Sequence, residues 1–266
     1  SVLLALTSDE ETGGELGPGW LLVTRGIRPR AAICAGSTHG VVIAHNGCVR
    51  GRVSIVGRSA HAAMSHVGID VSVPLLRLIE AIRAEHATLG ERRSAIPGIS
   101  TASLVVTSID GRCPPGVTVG RVDVDVDRRV IPEESLEDAV AELHATIASI
   151  DAAGAEIRFE PTLVVPQLRP LPGHEELART IADAAAAVLG EEVAPHGVPI
   201  FTDGRWFSEA GIPTVLYGAG PANPEETRGH AADENVAIAD VVAATAVLAR
   251  ALPELLAERR VTWHAS

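Results

Sequence analysis

Between Arg121 and Val130 valine alternates with aspartate or arginine, RVDVDVDRRV. A period of two sends alternate side chains to opposite faces, so this stretch reads as a half-buried strand. Its neighbours extend the pattern. Arg50 to Gly57 alternates in the same way. Val71 to His86 has helical spacing, with apolar Val73, Leu76, Ile79, Ala81 and Ile82. Thr101 to Ile109 reads as a strand, Glu134 to Ile150 as an amphipathic helix and Ala155 to Val165 as a strand. The resulting order β-α-β-β-α-β is the ferredoxin-like split motif.

Outside this stretch the rhythm is α/β. Val2 to Thr7 is a short apolar run expected to be a buried strand. A helix is expected over Glu15 to Arg25, strands over Ala31 to Cys34 and Gly40 to His45, a helix over His174 to Leu189, a strand over Thr214 to Tyr217 and a closing helix over Ile238 to Leu256. The expected fold is an α/β domain, formed by residues 1–47 and 166–266, carrying an inserted α+β unit at 48–165. Such an insertion is a common arrangement for a lid. Because residue 1 already opens a core strand, part of the structure is expected to lie upstream of Ser1.

Composition excludes several functions. The net charge is −12 with no basic run, which argues against nucleic-acid binding. No apolar stretch reaches membrane-span length. There is no lysine, so Schiff-base attachment of a cofactor and a Walker phosphate loop are both ruled out. Cys34, Cys48 and Cys113 are dispersed and form no CxxC pair, which fits a reducing, cytoplasmic compartment.

Five short motifs can carry chemistry. Asp9-Glu10-Glu11-Thr12-Gly13-Gly14 follows the first strand, where open α/β enzymes place reacting groups. Consecutive carboxylates need a cation or a shared proton to relieve them. If the segment is extended, Glu10 and Glu11 face opposite sides, so that one can bind metal while the other meets the substrate. Gly229-His230-Ala231-Ala232-Asp233-Glu234 precedes the last helix and supplies a nitrogen ligand if it meets Glu11. Gly57-Arg58-Ser59-Ala60-His61 sets a histidine between a strand and a helix, in reach of a substrate carbonyl. Asp127-Arg128-Arg129-Val130-Ile131-Pro132 offers an arginine to a substrate carboxylate. Thr202-Asp203-Gly204-Arg205-Trp206-Phe207 supplies glycine and aromatics for a pocket wall. Each has a plainer reading: an acidic turn, an exposed histidine, a helix start, a surface salt bridge, a packed loop.

In this order and combination the five motifs resemble the co-catalytic zinc aminoacylase and carboxypeptidase family, which includes acetylornithine deacetylase, succinyl-diaminopimelate desuccinylase and the glutamate carboxypeptidases. The resemblance runs over essentially the whole chain. It implies a metal-dependent hydrolase that cleaves an amide bond of an N-acyl amino acid or small peptide. Glu10 would be the general base, and Glu11 and His230 would ligate one zinc. His61 would stabilise the oxyanion, often in a neighbouring subunit's site. Arg129 and Gly204 would bind substrate. The inserted unit would be a lid and dimerisation domain, giving a homodimer. Two zinc ions per active site are the family's complement, with cobalt or manganese as alternatives.

The sequence also departs from the family pattern. The family's upstream His-x-Asp motif and bridging aspartate have no counterpart here. In the loop Ala35-Gly36-Ser37-Thr38-His39-Gly40, Gly36 stands where a metal-binding carboxylate is expected, and His39 is the nearby nitrogen that would substitute. A lid asparagine is replaced by Gly116. Two ligands on one zinc fall short of the three that such a site takes. The competing expectation is therefore a non-catalytic relative, or a split subunit, that binds an amino-acid-like ligand or a partner chain. A two-carboxylate glycosidase is disfavoured, because its acids come from separate elements and aromatic residues make up only 3% of the chain.

Overall fold

A computed structural model describes residues 1–36, 38–221, 226 and 228–257. In chain order the main elements are a 3-10 turn at Glu10–Thr12, α1 (Trp20–Val23), β1 (Ala32–Cys34), β2 (Val42–His45), β3 (Gly47–Val56), α2 (Ser72–Leu89), β4 (Ser103–Asp110), β5 (Arg121–Val130), α3 (Leu136–Ala148), β6 (Glu156–Val165), α4 (His174–Leu189), β7 (His196–Val198), α5 (Gly204–Glu209), β8 (Thr214–Leu216) and α6 (Ile238–Ala257). They form two compact units. Unit 1 takes in Ser1–His45, Ile96–Gly98 and Leu168–Ser266, and unit 2 takes in Asn46–Ala95 and Ile99–Gln167.

Unit 2 is a four-stranded antiparallel sheet in the order β4-β5-β3-β6. The valines of β5 explain it. Val122, Val124 and Val126 are buried beside Val49, Val53 and Ile55 of β3. This face is covered by α2, through Leu78, Ile82 and Leu89, and by α3, through Ala139, Leu143 and Ile147. The buried residues recur every four or seven positions, the spacing of one helix face. On the opposite face the register sets Arg50 against Asp127 and Arg52 against Asp125, and both pairs close as salt bridges at 2.9 and 2.7 Å. The start of α3 is fixed by Ser135, whose hydroxyl accepts the Asp138 N–H at 3.2 Å.

Unit 1 holds a mixed sheet in the order β1-β8-β2-β7, with β1 parallel to β8 and β2 parallel to β7. One core joins Val41, Val215 and Tyr217 to Ile181 and Ala185 of α4 and Val247 and Ala251 of α6. A smaller one joins Val42, Leu168, Val198 and Leu216. Ile96–Gly98 belongs to this unit because the Pro97 carbonyl accepts the Gly197 N–H at 2.7 Å. Gly98 has φ +90°, and a Cβ there would meet the Gly197 oxygen at 2.1 Å.

Three expectations are corrected. Val2–Thr7 is not a buried strand: Leu4 is 81% and Leu6 91% exposed, and no described strand pairs with the segment. A strand is held by its ladder, and without one apolar composition does not make it. The helix expected over Glu15 to Arg25 is a wide turn at Glu15–Gly19 followed by the single-turn α1. Pro18 has no N–H to give, and Gly17 and Gly19 disfavour regular helix. Finally, β7 and α5 form where no element was expected.

Candidate active site

The acidic loop is a tight 3-10 turn. Thr12 and Gly14 both donate to the Asp9 carbonyl, at 3.0 and 2.9 Å, and Gly13 donates to the Glu10 carbonyl at 3.1 Å. Asp9 itself lies in the left-handed region, φ +65°, as do Gly13 and Gly14. Its carboxylate accepts the Leu16 N–H at 2.8 Å and so braces the loop from within. The segment is therefore not extended. Three residues per turn set Glu10 and Glu11 about 120° apart rather than on opposite faces.

Glu11 and His230 are drawn together from opposite ends of the sequence, with Glu11 Oε1 3.6 Å from His230 Nε2. His230 also occupies left-handed backbone, φ +66°, and its N–H donates to the Glu234 carboxylate at 3.0 Å. That contact gives the glutamate four residues on a structural job. Glu10 is half-buried and its carboxyl is held above the ordinary range, first by burial and then by the Glu11 and Asp203 charges. Arg205 and His230 pull the other way. Asp203 is likewise pushed up by burial.

Two donors face each other here, one carboxylate oxygen and one imidazole nitrogen. A zinc site takes three protein donors and a water. Among the described residues no three of His, Cys, Asp and Glu are placed to hold a metal ion together, so the described residues do not by themselves make a zinc centre. His39 turns its Nε2 to Asp240 at 3.4 Å, while its buried Nδ1 takes no hydrogen bond among the described residues. Gly36 is not forced by space. A Cβ there would sit in ordinary contact with Leu216 and Tyr217 at 3.6 Å. Ser37, in the same loop, lies outside the described residues.

His61 and Arg129 belong to unit 2. His61 caps a short helical turn, with its Nδ1 accepting the Ala63 N–H at 3.1 Å. A backbone N–H can only donate, so in the neutral ring the proton sits on Nε2, which is left as a donor. Gly116 adjoins this turn: its carbonyl accepts the Ala62 N–H at 2.8 Å, and its φ of +79° is one that asparagine also tolerates. Arg129 is clasped by the buried Asp127, with Nε 2.7 Å from one carboxylate oxygen. The same carboxylate accepts from Arg50 at 2.9 Å. Cys48 sits against it at 3.7 Å, and burial and the Asp127 charge push its thiol up to about 11.

Thr202 to Phe207 does something that composition did not reveal. Gly204 is buried, with Leu216 and Thr202 as its nearest neighbours. The next two side chains, Arg205 and Trp206, both donate to the Gly13 carbonyl. The available signal was an arginine beside a tryptophan in a stretch otherwise bound for the interior.

The family described as Peptidase family M20/M25/M40 matches residues 1–254. Succinyl-diaminopimelate desuccinylase of Methylorubrum populi is 28% identical over 215 residues, which is 80% of this chain and 52% of that protein. N-formyl-4-amino-5-aminomethyl-2-methylpyrimidine deformylase of Halalkalibacterium halodurans is 21% identical over 250 residues, 84% of this chain and 57% of that one. The chain thus spans about half the length of the curated relatives it matches. Aminopeptidase PepT from Bacillus cereus shares the fold, with a TM-score of 0.62 at 18% identity over 94% of this chain and 63% of that one. A tripeptidase from Staphylococcus aureus gives 0.64 at 16%, over 95% and 63%. With nearly the whole sequence matched, the chain belongs to the M20/M25/M40 peptidase family.

Proposed function

We propose that the protein hydrolyses the amide bond of an N-acyl amino acid or small peptide. The observation that carries this reading is the meeting of Glu11 with His230 beside the half-buried Glu10. Glu10 takes a proton from the attacking water as its oxygen bonds to the carbonyl carbon. It then returns that proton to the nitrogen as the C–N bond breaks. A carboxyl held above its ordinary range suits a group that must both accept and donate. His61, a donor at Nε2, stabilises the oxyanion, and Arg129 binds the substrate carboxylate. The family is metal-dependent. We take the ion to be zinc, with cobalt or manganese as alternatives; when bound it would supply Lewis-acid chemistry. Glu11 and His230 would be among its ligands.

Unit 2 is, in this reading, an inserted lid and dimerisation domain. The protein is placed in the cytoplasm, which its three free cysteines support. Among the described residues no helix is long and apolar enough to cross a membrane.

The test is Glu10→Ala in the full natural protein, assayed on N-acyl amino acids and tripeptides with zinc or cobalt supplied. Turnover is lost while metal content stays the same. Unchanged turnover overturns the assignment of the base. A second reading, a non-catalytic relative or split subunit, is favoured by the two-donor count. It requires a protein that binds N-acyl amino acids calorimetrically without turnover, and a full two-ion centre after dialysis overturns it.

A further inference from the structure

We infer that Arg205, together with Trp206, is the positioning residue of the acidic loop, acting through the Gly13 carbonyl rather than on substrate. Its catalytic meaning rests on the reading of Glu10 and Glu11 given above; its structural part does not.

A carbonyl oxygen has two lone pairs, and here both are taken. The Arg205 guanidinium donates to Gly13 O, and the Trp206 indole N–H donates to the same atom at 2.9 Å. The guanidinium also lies 4.9 Å from the centre of the Trp206 ring, a cation–π distance. Arg205 is 4% exposed. A charge so buried is costly to keep unless it has partners, and Glu209, Asp203, Glu10 and Glu15 surround it.

The loop is pressed onto this pair. A Cβ on Gly14 would meet Asp203 Oδ1 at 2.4 Å and Trp206 Nε1 at 2.8 Å, and one on Gly19 would meet the Trp206 ring at 3.0 Å. Thr7, just before the loop, donates to Asp203 at 3.3 Å. Within the loop, Asp9, Gly13 and Gly14 all hold positive φ. Such a conformation persists only when its surroundings over-determine it. The clamp closes directly after the 3-10 turn whose first two residues are Glu10 and Glu11, so its loss re-aims both carboxylates. The segment from Asp203 to Trp206 is itself firmly anchored. It opens α5, which packs on β1 and β8, and Ser208 of the same helix accepts the Arg169 N–H at 3.3 Å.

The test uses Arg205→Met, Arg205→Lys and Trp206→Phe in the full natural protein. Two readouts are taken: amide hydrogen exchange, and kcat and KM on N-acyl amino acids. Arg205→Met keeps bulk and removes both charge and donors. It is expected to speed exchange at Thr12 and Gly14 by about tenfold or more, leaving the strands of unit 1 unchanged. It should lower kcat about a hundredfold with KM held within about threefold. Lysine, lacking the planar fork, restores little of either. Trp206→Phe keeps the ring, gives the same pattern at smaller amplitude, and serves if the methionine variant does not fold. Unchanged exchange in the loop, or exchange raised uniformly through unit 1, overturns the proposal. If the parent protein turns over no N-acyl substrate, the functional reading fails while the exchange measurement still decides the clamp.

Discussion

Removing the carboxylate of Glu134 tests how unit 2 holds the strand that carries Arg129. On the inner face of β5, Arg128 is 2% exposed and Glu134 10%. Arg128 Nη2 lies 2.6 Å from Glu134 Oε1. The same carboxylate accepts from Arg92 at 3.0 Å and from the Ile131 N–H at 3.0 Å. Glu134→Ala therefore leaves a buried guanidinium without its main counter-charge and a buried N–H without its acceptor. Breaking one side of a buried ion pair costs about 3–5 kcal/mol. The orphaned N–H accounts for about 1–3 kcal/mol of that.

Read by hydrogen exchange of the β5 and β3 amides, this is an acceleration of roughly two to nearly four powers of ten, and urea unfolding should show the same loss. Adding Arg128→Met removes the stranded charge. The double variant should be more stable than the additive expectation by about 2–3 kcal/mol. Glu134→Ala costing under about 1 kcal/mol, or a double variant less stable than additive, would refute the reasoning. The pH dependence has a definite sign. Burial alone would raise the Glu134 carboxyl, but the Arg128, Ile131 and Arg92 contacts outweigh it and hold it below 4.5. The contribution is thus fully present above pH 4.5 and is lost as pH falls through the lower folded value. In Glu134→Ala that part of the acid limb disappears.

Two smaller effects follow from the same structure. Ser135→Ala removes the cap of α3 and should cost about 1 kcal/mol in urea unfolding. Cys34, pushed up to about 12 by burial and the Asp203 charge, should alkylate at pH 8 more than about a thousandfold slower in the folded protein than in urea, by mass spectrometry of its peptide.

Legibility followed the reach of local pattern. β5 and α4 were readable to the residue because each buries one face at its own period over ten or more residues. β7 spans three residues, His196–Val198, too few to show any period. Val2–Thr7 misled in the other direction, because composition reports what a segment can pair with and not whether a partner is there. At the site, Glu10, Glu11 and His230 could be named from motif order. That Glu11 faces His230, and that His39 turns to Asp240, are facts of tertiary folding with no one-dimensional trace. Arg205 was passed over for a related reason. Arginine in a loop is usually solvated, and the one hint in Asp-Gly-Arg-Trp that this one is buried, the tryptophan beside it, is weak.

The left-handed backbone at Asp9 and His230 has a consequence for how these loops tolerate change. At φ +65° and +66° glycine is the residue with least to lose. At His230 a substitution to glycine therefore relaxes the main chain and keeps the N–H bond to Glu234 while deleting the imidazole, so fold and chemistry respond in opposite directions. At Asp9 the two respond together, because the carboxylate that glycine would delete also braces the loop on Leu16. A library screened only for heat tolerance would drift toward glycine at His230, discarding the imidazole opposite Glu11, and would keep aspartate at position 9.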